Sequence, residues 1–183
     1  MPTAAVIADI GNDLVYEEPV ETILEWIETA LDRLHQRGAA CVLNNVPLAS
    51  ARTLGPMRYR LFRSIVFPAC RLDLPTLLAR AEALSAGISE LAESRKTPVF
   101  SGESAWYGFD PIHPKRGRRF DIWRQMLGAL GAGERGVEET RPSFCAGRTY
   151  RRLKPLEYSL WGLRRGAEQP CARLADGSSI ALF

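Results

Sequence analysis

The chain has 183 residues, of which 46% are hydrophobic and 25% charged, with a formal net charge of +3. This composition is ordinary for a globular protein and indicates one folded domain with at most a small appendage. The basic residues are scattered among Glu and Asp without interleaved aromatic residues, so we expect no nucleic-acid partner. No apolar run approaches the ~20 residues that a bilayer span requires, so we expect no membrane span.

The cysteines form no Cys-x-x-Cys pair, and no histidine lies near enough in sequence to suggest a zinc site. A cysteine inside an apolar run behaves as a small hydrophobic residue. We therefore expect buried, reduced thiols, which favour a reducing compartment such as the cytoplasm, and no metal. The N-terminus also lacks the basic and apolar regions of a signal peptide. The cysteines are Cys41, Cys70, Cys145 and Cys171.

Three short apolar runs predict strands, at residues 4–10, 39–43 and 98–100. The first ends at a Gly-Asn-Asp sequence and the second at Asn-Asn-Val-Pro, as is typical of strands that lead into loops.

Amphipathic helices are predicted between and after these strands. Apolar residues recur at helical spacing over 20–34, where Gly38 ends the helix, and over 77–91. A shorter helix is expected around 59–65, and a last one begins after Gly117.

Alternation of strands and helices predicts an α/β fold: a three-layer α/β/α domain with a parallel sheet of the flavodoxin-like type. The loops at the carboxyl ends of such strands form the ligand site. Three strands make a narrow sheet, however, because doubly wound domains usually have about five. We therefore expect that N-terminal strands of the sheet are missing.

The domain is expected to cover residues 1–130. Residues 131–183 are expected to form a polar linker and a C-terminal extension. In that extension an Asp-Gly pair at 176–177 lies between two apolar runs, which is a strong signal for a β-hairpin. This hairpin could cap the sheet edge or pair with a partner.

The chain contains two histidines, and they differ in context. His35 lies near the end of a predicted helix, where it favourably faces the helix dipole. His113 lies in a loop, three residues after Asp110. This spacing allows the carboxylate to reach the imidazole Nδ1, fix its tautomer and stabilise the imidazolium that forms on proton abstraction.

The order and spacing of three blocks resemble those of SGNH, or GDSL-type, hydrolases, a family of esterases, lipases and acyl-transferring relatives. The Gly-Asn-Asp sequence at 11–13 resembles the family's Gly-x-Asn-Asp block, and Asn-Val-Pro at 45–47 resembles a family turn. The sequence Asp-Pro-Ile-His-Pro at 110–114 resembles the closing Asp-x-x-His block. The resemblance spans about residues 4–130.

The resemblance implies roles for the residues of two blocks. His113 would be the general base, Asp110 its orienting carboxylate and the Asn12 amide an oxyanion-hole donor. Gly11 and Asp13 would support the loop, Asp13 by accepting backbone hydrogen bonds. Taken without the family, residues 11–13 are equally typical of a plain turn.

The chain departs from the family pattern in two ways. Ile10 stands where the family has the Gly of its Asn-Asp block, and no Gly-Asp-Ser or Gly-x-Ser-x-Gly sequence occurs. Ser101 and Ser104 precede Asp110 in the same predicted loop and are alternative nucleophiles. The loop also carries three aromatic residues, which either line an acyl pocket or pin the loop to the core. They are Trp106, Tyr107 and Phe109.

The sequence therefore predicts an SGNH/GDSL-type ester hydrolase that is truncated and inactive as this chain. Its partner in the full-length form would be a small-molecule ester, without any cofactor or metal, and a homo-oligomer is left open. The alternative is a non-catalytic interaction module that retains the remnant of the hydrolase fold.

Overall fold

A parallel sheet of three strands organises the first part of the chain. In the computed structural model, which describes residues 3–131, 153–160, 163–173 and 179–182, these strands are β1 (Thr3–Ile7), β2 (Ala39–Asn44) and β3 (Val99–Phe100). Their order is β1-β2-β3, with Thr3 opposite Ala39 and Leu43 opposite Val99. The prediction of an α/β protein with parallel strands is confirmed.

The first strand is shorter than predicted because the chain turns sharply before Ile10. Asp9 has a φ of 60°, a left-handed conformation that cannot continue an extended strand. Its carbonyl accepts a hydrogen bond from the amide of Asn12 at 3.2 Å. A one-turn helix, α1 (Asn12–Val15), follows where the sequence predicted only a loop.

The predicted helices are present, with somewhat longer bounds. Gly38 follows the first long helix with a φ of +69°, as expected of a residue that ends a helix. Short 3-10 turns lie at Ser104–Trp106 and Arg116–Arg118. The helices are α2 (Val20–Gln36), α3 (Leu48–Ala51), α4 (Pro56–Val66), α5 (Leu74–Ser94) and α6 (Arg119–Ala129).

Side chains of β2 alternate between two apolar clusters on opposite faces of the sheet. Cys41 and Leu43 belong to a cluster built with α2 and α5, whereas Val42 belongs to one built with α6 and Trp106. Because successive residues of a strand point to opposite faces, helices cover both sides of β2. The α2–α5 pair is also joined by Arg95, which forms ion pairs with Glu28 and Asp32.

One edge of the sheet is open. Among the described residues, β1 pairs with β2 alone, and its outer edge has no neighbouring strand. Ala5, Val6 and Ile7 are only half-buried, while Val42 and Leu43 of the adjacent strand are fully buried.

The chain divides into two compact units, Met1–Glu138 and Glu139–Phe183. In the second, β4 (Glu157–Leu160) pairs antiparallel with β5 (Leu163–Gly166), a hairpin that the sequence did not predict. The two predicted strands of the C-terminal hairpin also pair antiparallel, as β6 (Ala172–Arg173) and β7 (Ser179–Ile180). The Asp-Gly turn between them lies outside the described residues.

Cys41 and Cys70 are buried free thiols, as predicted, and burial raises the pKa of Cys41. Cys171 is also free but only half-buried, so the prediction of burial is wrong for this residue, whereas Cys145 lies outside the described residues. In the described part of the chain, no helix combines the length and apolar character needed to cross a bilayer.

Asp73 caps the N-terminus of α5, and its removal tests this contact. Its carboxylate accepts a hydrogen bond from the Thr76 amide at 2.9 Å, and the Thr76 side chain together with this amide lowers the pKa of Asp73. A carboxyl group whose pKa is lower in the folded state stabilises the fold above its unfolded pKa, and this contribution is lost as the pH falls through the folded pKa. Asp73→Ala should therefore lower the melting temperature at neutral pH, with a smaller difference from wild type in acid.

Asp73→Asn is the matched control and should retain the cap, because an Asn side chain is also a good N-cap acceptor. An alanine variant that melts with the wild type at neutral pH would show that the cap contributes nothing to stability.

Candidate active site

A cavity of about 270 Å³ lies beyond the carboxyl ends of β1 and β2. Residues 8–12, after β1, and residues 44–47, after β2, form two of its walls. Tyr107 and residues 112–114 form a third, and α6 contributes Arg119, Ile122, Trp123 and Met126. Asn12 and His113 therefore line the same cavity, at the place where a parallel α/β sheet binds its ligands.

Asp110 holds His113 through both of its carboxylate oxygens. Oδ2 lies 2.7 Å from His113 Nδ1, while Oδ1 accepts the backbone amides of Ile112 at 3.0 Å and His113 at 3.1 Å. The second set of bonds is an Asx-type turn, in which the side chain replaces a backbone acceptor. The two backbone amides thus fix the position of the Asp110 carboxylate, which in turn orients the imidazole of His113.

This geometry determines which imidazole nitrogen is free to act. With Nδ1–H donating to Asp110, the neutral ring keeps Nε2 as a proton acceptor. The His113 side chain is 47% exposed and lines the cavity. His113 therefore has the arrangement of a general base, with a carboxylate that would stabilise its protonated form.

The loop that carries this pair is closed at its base. Tyr107 and Pro114 form an antiparallel bridge, and the Lys115 amide donates to the Trp106 carbonyl at 2.8 Å. Trp106 is buried and stacks on Phe100, with ring centroids 6.0 Å apart. Trp106 thus pins the loop to the core, whereas Tyr107 lines the cavity.

Arg58 of α4 braces the middle of the loop. Its guanidinium donates to the Phe109 carbonyl at 2.9 Å from Nε, and to the Gly108 and Phe109 carbonyls from Nη2. It also lies over the Phe109 ring, 5.1 Å from the centroid. The sequence did not predict this role of Arg58, because no local pattern links an arginine to carbonyls about 50 positions away.

Asn12 lies at the start of α1 and is half-buried in the cavity wall. Within the described structure its side-chain amide makes no hydrogen bond, so it is available to a ligand. Gly11 has a φ of −68°, and a Cβ there would meet only ordinary contacts with Val46. Asp13 supports the turn through its main-chain carbonyl, which accepts the amides of Tyr16 and Glu18, each at 3.2 Å.

Asn44 ends β2, and Asn45 follows it. The buried Asn45 anchors the loop, because its Oδ1 accepts the Val46 amide at 2.7 Å and its Nδ2 donates to the Ser85 carbonyl at 3.3 Å. Asn44 lines the cavity, and its buried Oδ1 has no hydrogen-bond partner. From the sequence, residues 45–47 were predicted only as a turn, and no role was predicted for Asn44.

The cavity lacks a serine, threonine or cysteine among its described lining residues. The Tyr107 hydroxyl lies against Gly102, and burial raises the pKa of this phenol. Ser101 and Ser104 are exposed, and neither lines the cavity that His113 lines. His35 is exposed near the end of α2, and no cluster of metal-ligating side chains occurs in the described part.

No protein-family model matches the chain, and no curated protein matches it.

The His113–Asp110 contact predicts a tautomer. Because Asp110 Oδ2 accepts from Nδ1, neutral His113 should carry its proton on Nδ1, and Asp110→Ala should shift the population towards the Nε2–H form. Long-range ¹H–¹⁵N NMR spectra distinguish the two forms. The signals of His35 serve as an internal control and should not change. Finding His113 as the Nε2–H form in the wild type would refute this geometry.

The Arg58 contacts predict a change in loop protection. Arg58→Lys removes the planar fork that reaches two carbonyls at once, so amide hydrogen exchange of residues 108–113 should become faster. Arg60→Lys on the same helix is the control and should leave this exchange unchanged. Equal protection in both variants would mean that Arg58 does not hold the loop.

Proposed function

We propose that this chain carries part of the active site of an SGNH/GDSL-type ester hydrolase. His113 is the general base, Asp110 orients it, and the Asn12 amide is a donor of the oxyanion hole. The observation that carries the proposal is the 2.7 Å contact between His113 Nδ1 and Asp110 Oδ2, in a cavity that Asn12 also lines.

The proposed reaction begins with attack of a serine hydroxyl on the ester carbonyl. The serine proton passes to His113 Nε2 as the serine oxygen–carbon bond forms, and Asp110 stabilises the resulting imidazolium. Negative charge develops on the carbonyl oxygen, where one amide donor such as Asn12 is worth about 3 kcal/mol of barrier. His113 then protonates the departing alcohol, and water releases the acyl group by the same steps.

The nucleophilic serine in this proposal belongs to a segment outside this chain. The open edge of β1 supports that placement, because a strand added there in parallel would also end at the cavity. The flavodoxin-like hydrolase fold would then be completed by strands missing from this chain. Those strands would lie upstream of Met1.

The second candidate is a non-catalytic interaction module. It is favoured by the lack of a serine, threonine or cysteine among the described residues of the cavity wall. In this alternative, the cavity is a remnant and the β6–β7 hairpin pairs with another protein or subunit.

Assays of the purified chain test the assignment of the nucleophile. The proposal predicts negligible turnover of p-nitrophenyl acetate, because His113 has no serine to activate. Turnover that His113→Ala abolishes would contradict this expectation and point to Ser101 or Ser104. Single alanine variants of these two serines would then identify the nucleophile.

A longer chain tests the function itself. Translation of the DNA upstream of Met1 should reveal a strand ending in Gly-Asp-Ser, and the extended protein should hydrolyse p-nitrophenyl acetate. In that protein His113→Ala should lower kcat about 10³-fold, and Asn12→Ala about 10²-fold. Ser101→Ala is the control and should retain full activity. A stop codon directly upstream, with no such strand, would favour the interaction module.

A further inference from the structure

The outer face of α4 presents an exposed apolar ribbon. Met57, Leu61 and Ile65 are 86%, 52% and 71% exposed and follow each other at four-residue spacing, so they lie along one face of the helix. Val66, the last residue of α4, is also exposed. Large apolar side chains exposed as a contiguous surface mark an interaction site.

All charged residues in and directly after α4 are basic. Residues 55–72 contain four arginines and no aspartate or glutamate. In the described structure none of these arginine side chains pairs with a carboxylate, although the carboxylate of the nearby Glu17 accepts the backbone amide of Arg71. Arg58 and Arg63 donate to main-chain carbonyls, whereas Arg60 and Arg71 extend into solvent.

The opposite face of α4 packs against the segment that follows the helix. Tyr59 is buried, and its hydroxyl donates to the Leu72 carbonyl at 2.7 Å. Phe62 packs against Phe67, with ring centroids 6.0 Å apart. The exposed ribbon is therefore a preformed surface on a helix whose core-facing side is already satisfied.

We propose that the outer face of α4 docks on an anionic phospholipid bilayer. Met57, Leu61 and Ile65 would enter the region between headgroups and acyl chains, while Arg60 and Arg71 would contact lipid phosphates. A helix with a narrow apolar face, flanking arginines and no acidic residue is the pattern of an interfacial helix. A second copy of the chain fits this face less well, because pairing would bring unneutralised arginines against one another.

This proposal is independent of the hydrolase proposal, since lipid binding needs no nucleophile. The two meet at Arg58, which extends from α4 to the carbonyls of Gly108 and Phe109 in the loop that carries His113. If the proposed function also holds, the ester substrate would be one presented at a lipid surface.

Vesicle sedimentation tests the proposal with the full chain. The protein should pellet with vesicles of phosphatidylcholine and phosphatidylserine, less with phosphatidylcholine alone, and less as salt is added. Leu61→Glu should lower the partition coefficient about tenfold or more, because it places a charge within the apolar ribbon. Trp26→Glu on α2, where the native Trp is 51% exposed, is the matched control and should bind like the wild type.

A second variant keeps the test decisive if Leu61→Glu disturbs folding, which circular dichroism melting would reveal. Arg60→Gln with Arg71→Gln leaves the apolar ribbon intact and should weaken binding roughly fivefold for each charge removed. The proposal is overturned if the wild type does not bind phosphatidylserine vesicles, or if Leu61→Glu and the double arginine variant both bind as strongly as the wild type. Sedimentation velocity showing a wild-type dimer that Leu61→Glu dissociates would instead assign the face to self-association.

Discussion

The burial of β2 on both faces is the constraint on which the rest of the first unit depends. Val42 packs towards α6 while Cys41 and Leu43 pack towards α2 and α5, so a single strand fixes the positions of helices on both sides of the sheet. Its pairing with β1 and β3 brings the ends of all three strands to one edge. The cavity residues follow from this alignment, because each wall begins where a strand or its loop leaves the sheet.

The helices and strands of the first unit were largely predictable because their signals are local. The helical spacing of apolar residues in α2 and α5 predicted their buried faces, and Gly38 indicated the end of α2. The first strand was overestimated because Ile10 is apolar and buried yet follows a left-handed turn at Asp9. An apolar residue indicates burial, but it does not show whether the residue lies in the strand or in the turn that follows it.

The contact between Asp110 and His113 was also predictable, since three residues of spacing allow one carboxylate to close a turn and reach the ring. The residues that hold the loops around this contact could not be predicted. Arg58 reaches the loop from α4, and Asn45 is tied to α5, so both depend on distant partners that only the folded chain brings together.

The edge of β1 that no described strand covers has a consequence for how the protein behaves in concentrated solution. A strand with a free edge presents backbone amides and carbonyls that any extended peptide can satisfy, including the same edge of another copy. Edge-to-edge pairing would continue the sheet across two molecules and block the position proposed for the nucleophile strand. The sheet edge would then be a point of competition between assembly of the active site and aggregation, with protein concentration determining which one prevails.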